Sequence, residues 1–158
     1  MAASGWRWAA FESAAVDLAA IGRQLLYRHD GGEVGILATV DAHGHPRVAP
    51  VCPIFAGEGV YLSVVAHTPK ARDLARNPSY ALHAQVGADD LEFQIRGEAR
   101  TVDDPGERIG VIEAIPFPSF DRNDPILELL IERALVVTWA ERSTRRQKRI
   151  WQAPATEK

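Results

Sequence analysis

The stretch VVAHTPKARDL, residues 64–74, passes from a β-rich run into a helical pattern within three residues. Thr68 is a good N-cap, and Pro69 suits the first helical position, where its missing N–H costs nothing. A helix is therefore expected to start at Pro69. Its free N–H groups from Lys70 onward, its positive dipole end, the Thr68 hydroxyl and the Lys70 ammonium would converge on one small volume, as a phosphate requires. An ordinary capped surface helix has the same signature. The rest of the chain has to decide between them.

Upstream, Phe11, Ala14, Ala15, Leu18, Ile21, Leu25 and Leu26 recur at helical spacing, which predicts one amphipathic helix from Trp8 to about His29, ended by Gly31-Gly32. The period then changes. GILATVD (35–41) and HPRVAPVCPIFA (45–56) read as a hairpin about the turn residues Ala42 to Gly44. Pro50 and Pro53 cannot donate ladder hydrogen bonds, so the second strand is expected at a sheet edge or with a bulge, its backbone partly free for a ligand. VYLSVVA (60–66) is a further strand, and Asn77-Pro78 stops the helix that follows it.

Downstream, Tyr80 to Val86 and Leu91 to Arg100 both alternate apolar and polar residues, the signature of antiparallel strands with one wet face. Asp104-Pro105 with Glu107 reads as a capping box opening a short helix to about Ala114, followed by the loop IPFPSFDRNDP. The run ILELLIERALVVTWA (126–140) fits a strand through Leu127, Leu129, Ile131, Leu135, Val137 and Trp139, and a helix through Ile126, Leu130 and Ala134. Its β-branched and aromatic end favours strand. The count is then about six strands with peripheral helices, a mainly β protein. A small antiparallel barrel hides such edges, and a plain β-sandwich is the alternative.

At 158 residues the chain is expected to be one domain with a real core. Its 46% hydrophobic and 25% charged residues are those of a soluble globular protein, and no apolar run is long enough to cross a bilayer. The opening residues lack a secretory pattern, so a cytoplasmic location is expected. Cys52 is the only cysteine, which excludes an internal disulfide and a cysteine-cluster metal site. A net charge of −3 argues against broad nucleic-acid binding, and RSTRRQKR (142–149) reads as a solvated surface stretch.

Sequence signatures of serine hydrolases, zinc proteases and P-loop nucleotidases are absent. His43 and His45 lack a third metal ligand, His83 falls on a wet strand face, and Asp17, Asp41 and Asp73 have no acid or histidine at a suggestive spacing. A chain poor in catalytic side chains is suited to a cofactor that carries the chemistry itself. Arg47, Ser63, Thr68 and Lys70 would then supply phosphate donors beside a strand with unpaired backbone.

The succession GILATVDAHGHPRVAPV, VYLSVVAHTPKARDLARNPSYALHA and FQIRGEARTVDD resembles the pyridoxamine 5′-phosphate oxidase-like, FMN-binding split-barrel superfamily, particularly its small single-domain members. The resemblance covers about residues 8–140 and leaves 141–158 as a tail. It implies a six-stranded antiparallel split β-barrel that forms a homodimer, with the cofactor at the subunit interface. Position by position, it implies that Arg47, Val48, Ala49 and Pro50 edge the flavin ring and ribityl chain. Ser63 and Val64 would line the floor, Thr68, Lys70 and Ala71 would hold the phosphate, and Trp139 would touch the ring from the last strand. The tail lacks the paired arginine and histidine of true pyridoxamine phosphate oxidases, which argues against vitamin B6 as substrate. The implied activity is FMN-dependent oxidoreduction of a small organic molecule. A deazaflavin-dependent reductase and a non-catalytic flavin- or haem-binding protein are the alternatives on the same scaffold.

Overall fold

The computed structural model describes residues 3–27, 35–140 and 145–155. Among these residues nine strands and four α-helices follow one another as α1 (Trp8–Ala14), α2 (Val16–Leu26), β1 (Gly35–Val40), β2 (Pro46–Val51), β3 (Ile54–Ala56), β4 (Gly59–Ser63), α3 (Pro69–Arg76), β5 (Ser79–Ala84), β6 (Glu92–Thr101), α4 (Pro105–Glu113), β7 (Ile126–Leu129), β8 (Arg133–Ala140) and β9 (Arg145–Gln152). All strand pairings are antiparallel. The main path runs β2-β1-β5-β6-β7-β4-β3, with β8 and β9 branching from β6. Its ends, β2 and β3, are consecutive in the chain and joined by Cys52-Pro53, so the sheet curls back on itself as a split barrel.

β6 makes this geometry possible. Residues 92–96 pair with β8, whereas Ala99, Arg100 and Thr101 pair with β7. Between the two registers lies Gly97, where a Cβ would stand 2.0 Å from the Leu130 carbonyl oxygen. Only a glycine lets the β7–β8 crossover pass so close. The inward residues of the curled sheet, among them Leu37, Leu82, Phe93, Ile95 and Val136, are buried with Trp8, Phe11, Ala19 and Leu26 from the two N-terminal helices. A second, smaller core of Ile54, Tyr61, Val102, Val111 and Ile126 lies under α4.

Several expectations change. The N-terminal helix is two helices, because Ala15 leaves helical geometry at φ −143°, ψ 61°; the break lets Trp8 and Phe11 enter the core separately from Ala19 and Leu26. Its predicted end at His29 and the stop at Gly31-Gly32 lie outside the described residues. The run 126–140 is strand, but as two: β7 and β8 are separated by Leu130 to Glu132 as the chain steps across β6. Nine strands replace six, since the second arm of the first hairpin divides into β2 and β3 and the tail contributes β9. The expected edge position of the proline-bearing strand holds: β2 pairs with β1 alone. Half of the expected capping box forms at α4: Asp104 accepts from the Glu107 N–H at 2.7 Å, while the Glu107 carboxylate turns to Arg7, Arg100 and Tyr61.

Candidate functional site

Helix α3 begins where expected. Thr68 is its N-cap and Pro69 its first residue. The preceding turn is strained: His67 holds φ at +67°, a left-handed value uncommon for a residue with a Cβ. Neighbouring bonds fix it there. Asp124 Oδ1 accepts from the Ala66 N–H at 3.0 Å, and the Thr68 N–H reaches the Val65 carbonyl at 3.3 Å. Strain of this kind persists where the surroundings over-determine the backbone, and it is common at ligand sites.

The cap uses donors that the sequence left free. Thr68 Oγ1 donates to the Val65 carbonyl at 2.8 Å and accepts from the Ala71 N–H at 3.4 Å, while the Arg72 N–H reaches the Thr68 carbonyl at 3.1 Å. The Lys70 N–H is the first-turn donor that remains. Lys70 itself is half-buried, with no carboxylate within ion-pair distance among the described residues.

Arg47 comes to the same place from β2. Its Nε donates to Asp73 Oδ2 at 2.7 Å, and Thr39 Oγ1 on β1 donates to the same oxygen at 2.8 Å. Asp73 is one turn beyond Lys70 in α3, so this carboxylate binds the helix to the first hairpin. It is 3% exposed, whereas the Arg47 side chain is 40% exposed. Burial acts to raise the Asp73 pKa, but the hydrogen bonds from Arg47 and Thr39 outweigh it and hold the carboxyl below its ordinary value. With one guanidinium nitrogen committed, the two terminal nitrogens of Arg47 keep their donors. Lys70, unpaired among the described residues, and the free nitrogens of Arg47 form a donor set that suits a phosphate ester.

The other expected residues divide. Arg47 and Ala49 share the inward face of β2 with their register partners Thr39 and Leu37, while Val48 and Pro50 point to the outer face beside Ala38 and Ile36. A ligand along this strand would therefore meet alternate side chains and the unpaired backbone edge. Ser63 ends β4 half-buried. Val64 is 1% exposed within the main core, so it can support a site only from beneath. Trp139 is on β8, with β1, β5 and β6 between it and β2 in the order of the curled sheet. Its indole N–H is buried without a hydrogen-bond partner.

Asp73 and Thr39 are the residues that sequence reading missed. No acid or histidine accompanies Asp73, and its partners come from strands 26 and 34 residues away. The available signal was an aspartate one turn after Lys70, on the face of α3 that also carries buried Leu74. In the loop after α4, Phe117 packs into the smaller core and Phe120 stacks edge-on against it at 6.1 Å. Phe120 and Val65 line an open recess of about 710 Å³ beside the junction. His43 and His45 stay in an exposed turn around Asp41, and no group of metal-ligating residues occurs among the described residues. No described helix is long and apolar enough to cross a membrane.

The fold is widely shared among solved structures. An FMN-binding, pyridoxamine 5′-phosphate oxidase-related protein from Nostoc punctiforme superposes with a TM-score of 0.63 at 14% identity, over 92% of this chain and 91% of that one. An F420 reductase gives 0.51 at 22% identity, over 69% and 90%. A haem-binding protein from Mycobacterium smegmatis gives 0.55 at 18% identity; the match covers 75% of this chain but only 53% of that one, about half its length. No curated protein matches in sequence. The family model for pyridoxamine 5′-phosphate oxidase, however, matches residues 29–135, from between α2 and β1 to β8 and across the whole Arg47–Lys70 junction. The chain belongs to the pyridoxamine 5′-phosphate oxidase family.

Proposed function

We propose that this protein is a cytoplasmic, FMN-dependent oxidoreductase acting on a small organic substrate, working as a homodimer of single-domain subunits. The observation that carries the reading is the unpaired cation at the start of α3: among the described residues Lys70 has no carboxylate partner, and one turn further on Asp73 fixes the Arg47 guanidinium. Lys70, its backbone N–H and the free end of Arg47 would hold the phosphate. Thr68 and Ala71 would shape that pocket through the cap they form together. The backbone edge of Arg47, Val48, Ala49 and Pro50 would run along the ring and ribityl chain, with Ser63 and the backbone of Val64 beneath.

A flavin bound there would supply hydride transfer. The residues of this chain would bind and orient it and shield one ring face, and no side chain is needed to move a proton. The Nostoc punctiforme protein supports this reading. The F420 reductase and the haem-binding protein keep two alternatives in view, a deazaflavin coenzyme and a bound haem.

Two features favour a dimer. Val48 is 69% and Ile36 is 36% exposed on the outer sheet face, apolar surface that a second copy would cover. Trp139 stands four strands from β2 along the sheet, and the partner's copy would bring that indole to the ring. The test is to release and identify the small molecule that copurifies, and to sediment apo- and FMN-loaded protein over a concentration series. FMN with a dimer strengthened by loading is expected. Haem, a deazaflavin, or a fully loaded monomer would overturn the corresponding part.

A further inference from the structure

The ladder between β4 and β7 ends in an exchange of acceptors. Ser63 stands opposite Ile126, and the Val64 N–H still reaches the Pro125 carbonyl at 3.0 Å. In a continuing antiparallel ladder the next bonded N–H, that of Ala66, would meet the Asn123 carbonyl. Here the chain turns instead: Asp121 Oδ1 accepts from the Asn123 N–H at 2.8 Å, and the Asp121 carbonyl accepts from the Asp124 N–H at 3.0 Å. The Asp124 carboxylate stands in for the lost carbonyl and accepts from the Ala66 N–H at 3.0 Å.

This turn is braced from α4. Arg108 donates through Nη2 to the Arg122 carbonyl at 2.6 Å and to the Asp124 carbonyl at 2.8 Å. The residue before it, Glu107, is bonded to Arg7, Arg100 and Tyr61, so α4 is tied to the sheet at the same point. An unbroken series of bonds thus leads from the sheet through α4 and Asp124 to the Ala66 N–H. Next in the chain is His67, whose φ of +67° aims the backbone into Thr68 and the first turn of α3. Such a conformation costs about 1–3 kcal/mol and persists only where the surroundings impose it. Among the described residues, the Asp124 bond is the one hydrogen bond that ties residues 65–68 to a segment other than α3.

We propose that, on the reading that the start of α3 holds the phosphate, Asp124 is a positioning residue for it. By fixing the Ala66 N–H it sets the direction in which the Lys70 N–H and ammonium point, and so the preference for a phosphorylated flavin over one without phosphate. Asp124 acts through the backbone and does not touch the ligand, because a carboxylate facing the phosphate would repel it. Its acceptor oxygen is what the turn requires, and an asparagine in its place keeps that oxygen.

The experiment titrates the full apo-chain with FMN and, separately, with riboflavin, which has the same ring and side chain without the phosphate, and reads flavin fluorescence. Wild type should bind FMN more tightly than riboflavin. Asp124→Ala should weaken FMN about tenfold and leave riboflavin within about twofold. Asp124→Asn should return FMN to within about threefold of wild type. Arg108→Gln, which loosens the brace and keeps Asp124, should weaken FMN in the same direction without moving riboflavin, and it serves if Asp124→Ala does not fold. Wild-type FMN affinity in Asp124→Ala, an equal loss for both flavins, or no recovery in Asp124→Asn would overturn the proposal and leave the phosphate reading standing. A wild type with no preference for FMN would overturn the phosphate reading itself, and the role of Asp124 with it.

Discussion

Two assemblies of arginines and carboxylates stand at different ends of this molecule. Beneath α4, Glu128 is fully buried and is bonded by Arg7 Nε at 2.7 Å and by Arg100 Nε at 2.9 Å. Glu107 accepts from both arginines and from the Tyr61 hydroxyl, and Glu58 caps Arg7 from outside. Three carboxylates surround two guanidinium groups. At the start of α3 a cation is left over: Arg47 pairs with Asp73, and Lys70 has no carboxylate within ion-pair distance among the described residues. The first assembly is closed on itself and joins the N-terminal segment, β4, β6, α4 and β7. The second is closed on its inner side only, and its surplus donors face outward. Like chemistry thus serves the fold where carboxylates outnumber the cations they bond, and would leave a place for a ligand where a cation stands unpaired.

This contrast orders the expected effects of substitution. Glu128→Gln should cost the most, about 3 kcal/mol, because it removes the buried charge that both guanidinium groups share and leaves them Glu107 and, for Arg7, the exposed Glu58. Urea denaturation measures it, and FMN affinity of the folded fraction should be unchanged. Asp73→Ala comes next at about 2–3 kcal/mol, since it removes charged hydrogen bonds to Arg47 and to the buried Thr39 hydroxyl. It should also weaken FMN, because Arg47 is no longer held in place. His67→Val should cost about 1–2 kcal/mol by forcing a β-branched residue to positive φ, with His67→Gly close to neutral.

Acid should weaken both assemblies. Hydrogen bonds from Arg100 and Tyr61 outweigh burial at Glu107, as those from Arg47 and Thr39 do at Asp73, so both carboxyls titrate below their ordinary values. A carboxyl whose folded pKa is depressed stabilises the protein above its unfolded pKa, and that stability is lost as pH falls through the folded value. Stability should therefore decline below about pH 4, and Asp73→Asn should make the decline shallower. The Tyr61 hydroxyl, pushed up to about 12 by burial and by the Glu128 charge, should remain protonated throughout.

Much of this was legible in the sequence because it rests on local rules. The Thr68-Pro69 cap, the Asp104–Glu107 cap and the edge position of β2 follow from single residues whose backbone chemistry permits little else. What escaped depends on distant pairing. β9 carries almost no apolar periodicity, because its ladder to β8 and the Trp151 anchor hold it in place of a buried face. The division of 126–140 is set by Gly97, some thirty residues earlier, through the close passage of Leu130. For the site, Lys70 and Arg47 could be read from motif and position, while Asp73, which orients Arg47, could be found only once β1, β2 and α3 were packed together.

The claim that the junction's surplus charge is a phosphate site is tested most directly by titrating apo-protein with FMN, wild type beside Lys70→Glu. The account predicts at least a hundredfold loss of affinity in the variant, with its unfolding free energy within about 0.5 kcal/mol of wild type, as for a surface change near a helix N-terminus. Equal affinity in the two proteins would contradict it and return Lys70 to the solvated face of an ordinary capped helix.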